Sequence, residues 1–128
     1  MLYRKDLIYP DLSYKIVGIL FEVYNQLGPG HQEKYYQKAL ANAFKQLKIK
    51  FQEQVKVDLK FQDVKIGLYF LDFLIEDKII LEINKGDRFS KYFFDQINAY
   101  LQASKLKLAL LVNFSTSGLK FKKIVNLK

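Results

Sequence analysis

Apolar residues recur at two different periods along the chain, and the change of period divides it into elements. Leu12, Ile16, Ile19, Leu20, Val23 and Leu27 fall at helical spacing, which predicts a first helix with Asp11 or Ser13 available as its cap. Gly28-Pro29-Gly30 ends it sharply. A second helix is expected over 31–48, with Tyr36, Leu40, Ala43, Phe44 and Leu47 as its buried stripe. From 54 to 61 the period drops to two: Val55, Val57, Leu59 and Phe61 point one way, Lys56, Asp58 and Lys60 the other. That is a half-exposed strand. Two apolar runs around Glu76-Asp77-Lys78 then predict a β-hairpin over 64–85, its first run reading as an interior strand over 68–75. Ser90 can cap a third helix to about Ser104, with Phe93, Ile97, Tyr100 and Leu101 facing inward. The apolar run 107–114 suits a strand covered on both faces and reached by a helical crossover, and 119–125 a last strand whose lysines guard an edge or contact phosphates. The order is α-α-β-β-β-α-β-β, an α/β (α+β) arrangement of one central mixed sheet flanked by helices.

The hairpin carries the candidate chemistry. Asp72 and Glu82 each lie five positions from Asp77. A turn centred there sets them opposite each other, with Cβ atoms about 4.5–5.5 Å apart. Like charges so placed repel, and a fold that keeps them calls for a cation or a shared proton between them. Asp and Glu supply the hard oxygen ligands that suit Mg²⁺. The plain alternative is that each acid marks an edge strand or pairs with a lysine. Glu33 lies on the apolar stripe of the second helix, either as a first-turn acid favoured by the helix dipole or as a third inward carboxylate. His31, the only histidine, reads as a surface or capping residue beside the Gly-Pro-Gly turn.

Composition narrows the classes. The 128 residues suit one domain, 1–128, large enough for a core. The absence of cysteine excludes disulfides and zinc–thiolate sites. It also suits a reducing cytoplasm, the expected location. No leader-like or membrane-length apolar run is expected. The net charge of +8, with no acid after Asp95, points to a polyanion partner, most simply nucleic acid.

The acids Glu33, Asp72 and Glu82, in that order and followed by Gln96-Ile97-Asn98-Ala99-Tyr100, resemble the PD-(D/E)XK nuclease superfamily, the restriction-endonuclease-like fold. More closely, the chain is similar to the small GxxExxY proteins of that superfamily. Their naming motif stands as Gly30-His31-Gln32-Glu33-Lys34-Tyr35-Tyr36, and Gln54 and Leu111-Val112-Asn113-Phe114 match their wider pattern. The resemblance implies a nuclease that hydrolyses DNA with Mg²⁺ or Mn²⁺. Asp72 and Glu82 would bind the metal, Glu33 would complete the acidic cluster, and Gln96 and Tyr100 would position the DNA strand or support the site. Lys85, Arg88 and Lys91 would contact nucleic acid. One position departs from the pattern. The superfamily's Glu-x-Lys is Glu82-Ile83-Asn84 here, and Asn supplies no positive charge. Asn84 orients the water in one reading, a lysine such as Lys91 reaches in from elsewhere in another, and in a third the site binds but barely cuts. Two other functions compete with the nuclease: a non-catalytic nucleic-acid-binding module, and a structural or interaction protein acting as a homodimer.

Overall fold

A computed structural model describes residues 8–84 and 89–126. Lys85 and Arg88, two of the expected nucleic-acid contacts, lie outside these residues. Helices α1 (Pro10–Leu27) and α2 (Glu33–Gln46) precede strands β1 (Phe51–Phe61), β2 (Val64–Ile75) and β3 (Ile79–Ile83). Helix α3 (Lys91–Ser104) follows, then β4 (Leu108–Ser115) and β5 (Gly118–Val125). The element order is the one expected. The strands form a single sheet in the order β1-β2-β3-β4-β5, antiparallel except where β3 meets β4. That parallel pair is bridged by α3, as parallel neighbours require.

The sheet is covered on both faces. Ile16, Ile19 and Leu20 of α1 and Leu40 and Phe44 of α2 bury against Phe73, Leu81, Leu110 and Val112. Ile97, Tyr100 and Leu101 of α3 bury against Leu71, Ile80, Ala109 and Leu111. Every residue of β4 is buried, which is why that run has no polar face in the sequence.

Local chemistry sets the helix ends. The Ser90 hydroxyl accepts the Phe93 amide at 3.1 Å, capping α3 as expected. At α1 the expected cap is wrong. Pro10 opens the helix after a left-handed Tyr9, with no side-chain cap. Proline is favoured there because its missing N–H has no helical partner to lose. Ser13 is buried in the first turn, with its hydroxyl 3.5 Å from the Ile8 carbonyl. His31 accounts for itself as a cap: its Nε2 meets the Leu27 carbonyl at 2.9 Å at the end of α1.

Three further expectations need correction. Helix α2 stops at Gln46, so Leu47 is 59% exposed, while Ala41 takes a buried place. Strand β1 starts three residues early, at Phe51. The first run of the hairpin is interior only near its turn. Strand β3 pairs with Phe73–Ile75 alone, and the rest of β2 projects with β1 as a two-stranded ribbon, leaving Leu68 38% and Phe70 47% exposed.

That ribbon turns over as it leaves the sheet. Phe51, Phe73 and Ile75 face the α1/α2 core, whereas Val55, Val57 and Leu71, of the same alternation, face the α3 core. The pairing keeps one register across the change, from Glu53↔Phe73 to Val55↔Leu71. The seam therefore falls at Gln54 and Asp72. Gln54 takes a φ of 50° there, an uncommon value for a residue with a Cβ.

Burial predicts very different sensitivities at two apolar positions. Phe73→Ala, fully buried against Phe44 at 5.4 Å and Phe51 at 6.0 Å, should cost about 3–5 kcal/mol in urea unfolding. Leu47→Ser should cost about 0.5 kcal/mol or less. Equal losses would contradict this placement of the core.

Candidate active site

The hairpin register brings Asp72 and Glu82 together as the sequence requires. Ile75↔Ile79, Leu74↔Ile80 and Phe73↔Leu81 count down towards them from the turn. At the next step the ladder of backbone bonds stops and carboxylates take its place. The Asp72 amide donates to Glu82 Oε1 at 2.7 Å, and the Ile83 amide donates to Asp72 Oδ2 at 2.8 Å. Each acid thus accepts from the other's strand, and fixed backbone amides hold the pair in place.

Glu82 is 7% exposed. Burial pushes its carboxyl up to about 9, the Asp72 charge adds to the rise, and the charge of Glu33 contributes further. The Asp72 backbone N–H works the other way. Burial and repulsion win, so without a cation the pair holds a proton well above the usual carboxylate range. This is the shared-proton solution to two opposed acids.

Glu33 is the first residue of α2, where the helix N-terminus favours a carboxylate, and its Oε2 is buried. The preceding loop is pinned for it. The Tyr36 hydroxyl donates to the Gly28 carbonyl at 2.6 Å and accepts the His31 amide at 3.3 Å. The Tyr36 ring stacks on Phe114 at 4.1 Å. Gly30, Glu33 and Tyr36 all line one cavity of about 480 Å³, together with Asn84, Asn113 and Thr116. Asn84 is 7% and Asn113 2% exposed. They stand just past the last parallel pair, Ile83↔Val112, where the Asn84 amide donates to the Val112 carbonyl at 2.8 Å. The carboxyl ends of parallel strands are a favoured place for ligands.

Tyr100 stands beside the acids. Burial first, then the charges of Glu82, Tyr69 and Asp72, raises its phenol, so it stays protonated. Its ring lies 4.4 Å from that of Tyr69 and is buried. Tyr100 therefore forms a wall of the site and presents no open surface to DNA. Gln96, one turn earlier, is half-buried. Lys91 is exposed and bonded to Asp95 at 2.7 Å on its own helix, so it does not stand in for the lysine missing at Asn84.

Four residues escape the sequence reading as site members. Gln54 Nε2 lies 3.5 Å from Asp72 Oδ1, and Gln37 Nε2 donates to the Asp72 carbonyl at 3.1 Å. Asn113 and Tyr69 complete the surroundings. Asn113 was detectable as the one amide in an apolar run. Gln37 was detectable as the residue one turn after Glu33.

Among the described residues, no three His, Cys, Asp or Glu side chains are gathered at metal-holding spacing. Glu33 acts on the pair through its charge. The pair alone still fits Mg²⁺, which commonly takes one or two carboxylates and keeps waters or substrate phosphate in its other positions.

The fold is that of restriction-endonuclease-like proteins, a mixed five-stranded sheet with helices on both faces. The sequence model of the PD-(D/E)XK nuclease superfamily matches residues 10–124, and the chain belongs to that superfamily. A solved structure, "Crystal structure of SSO0001", is similar at a TM-score of 0.55 and 14% identity, covering 73% of this chain and 49% of that one. The likeness is one of fold, and this chain spans about half the length of that protein. No curated protein matches.

The position of Glu82 makes stability depend on pH. In the unfolded chain it ionises near 4.5, and in the fold only towards about 9. Between those values the fold holds a proton that the unfolded chain has lost. Stability without metal therefore falls as pH rises through this window. Glu82→Gln should remove that slope. In urea unfolding with EDTA it should match wild type near pH 5 and exceed it at pH 8 by on the order of 4 kcal/mol. Parallel curves for the two proteins would contradict the assignment.

Proposed function

We propose that this chain is a divalent-metal-dependent nuclease acting on DNA, of the GxxExxY kind within its superfamily. The observation that carries the reading is the reciprocal carboxylate pair, Asp72 and Glu82, fixed by backbone amides beside a cavity lined by Glu33 and Asn84. Asp72 and Glu82 are the residues that would hold Mg²⁺ or Mn²⁺. A bound cation would neutralise the scissile phosphate and acidify the attacking water.

The chain's own residues supply the rest. Asp72 and Glu82 each reach the other's backbone, so both would address one point on the substrate. Glu33 adds negative charge that favours a cation over a bare phosphate at that point, and the surplus of lysines offsets it for DNA. The Tyr100 phenol, held protonated, can donate to a carboxylate and fix its orientation. Asn84 can hydrogen-bond a water or phosphate oxygen but cannot stabilise developing charge as an ammonium does.

Asn84 also favours a second reading, a module that binds nucleic acid on this scaffold with little or no cleavage. The two differ in what Asp72 does. Catalysis predicts cutting of plasmid or single-stranded DNA with Mg²⁺ or Mn²⁺, lost by about 100-fold or more in Asp72→Asn. It also predicts a gain on the order of tenfold or more in Asn84→Lys. A binding module predicts salt-sensitive association in EDTA that survives Asp72→Ala. Absence of cleavage in both wild type and Asn84→Lys would sink the nuclease reading.

A further inference from the structure

A groove of about 740 Å³ lies between β1 and α3, away from Asp72 and Glu82. One wall consists of six consecutive β1 residues, 55–60. Consecutive residues line a groove only where the strand presents its backbone edge. Strand β1 is terminal in the sheet, with β2 as its sole neighbour, so that edge carries ladder N–H and C=O groups with no strand beside them among the described residues. The opposite wall is the last part of α3, where Ala99, Ala103 and Ser104 are small. Val55, Val57, Leu59 and Leu106 are half-buried along the groove, so apolar surface remains open.

A strand edge facing a helix across an apolar groove is the arrangement in which an extended peptide adds to a sheet. Main-chain bonds supply the affinity, and alternate side chains enter the groove. The rim indicates the peptide's charge. Lys56 and Lys60 line the groove and are exposed, and Lys105 and Lys107 flank Leu106. The one acid in the wall, Asp58, lies 3.5 Å from Lys65. The other edge of the sheet, β5, is also rich in lysine, but the groove belongs to β1. A phosphate backbone has no use for an apolar floor, whereas an extended polypeptide uses floor, edge and rim together.

We propose that the β1–α3 groove binds an extended segment of a partner protein, added antiparallel to β1, with apolar residues alternating with acidic ones. This interaction is separate from the carboxylate pair and independent of any cleavage.

The test is a titration of the ¹⁵N-labelled full chain with the peptide Ac-Glu-Val-Glu-Val-Glu-Val-amide. A control peptide of the same composition, Ac-Glu-Glu-Glu-Val-Val-Val-amide, separates patterned recognition from plain charge attraction. Ala103→Trp fills the groove at an exposed position and should leave the fold intact by its amide spectrum. Saturable shifts confined to residues 55–60 and 99–106 are expected, at least tenfold weaker with the control peptide and in Ala103→Trp. Equal response to both peptides, shifts centred elsewhere, or no shift at millimolar peptide would overturn the proposal. Shifts at β1 that grow with protein concentration alone would overturn it too, by assigning the groove to a second copy of this chain.

Discussion

Two like-charged carboxylates are forced face to face by a three-residue turn, and most of what is distinctive in this structure follows from that. Glu76-Asp77-Lys78 fixes the register of β2 on β3, and the register fixes Asp72 against Glu82. Neither strand can slip to relieve the repulsion, because a slip of one residue would send Phe73 and Leu81 out of the core. The strain is met locally. The ladder gives up its regular bonds at this step, and the two acids accept the amides instead. Burial then makes the charged form of Glu82 costly until something positive arrives.

The surrounding fold positions other groups around this pair. The turn-over of the ribbon at Gln54 and Asp72 lets one strand contribute to both cores, and it places a non-glycine residue at positive φ beside an acid. Uncommon backbone conformations of this kind concentrate at functional sites. Across the sheet, the Gly30…Glu33…Tyr36 motif acts as a single device. Tyr36 anchors the loop through Gly28 and His31, and the anchored loop starts α2 at Glu33. Asn84 and Asn113, just past the last parallel pair, close the cavity that this device opens.

Much of this was legible in the residues. The hairpin and its register followed from the spacing about Asp77, and the buried β4 from its unbroken apolar run. The cap at Ser90 was read from its hydroxyl. The failures have physical causes. Strand alternation cannot reveal a ribbon that turns over, so Leu68 and Phe70 read as interior although β3 is too short to cover them. Helical periodicity cannot see that α2 ends two residues early, at Gln46, which exposes Leu47. A cap predicted from side-chain type missed a helix opened by proline at α1. Among the site residues, the bonds of Gln54 and Gln37 to Asp72 were not legible, because a glutamine carries no sign of what it bonds. The groove along β1 was hidden because a free strand edge is a property of sheet order, not of any one residue.

In the proposed function, Asp72 and Glu82 exchange a proton for a divalent cation. Calorimetric titration of Mn²⁺ into the metal-free protein at pH 7.5, in two buffers of different ionisation enthalpy, measures that exchange directly. Binding that releases about one proton per ion, and that disappears in Asp72→Asn, is the predicted result. Absence of binding, or binding that releases no proton and persists in Asp72→Asn, would contradict the account.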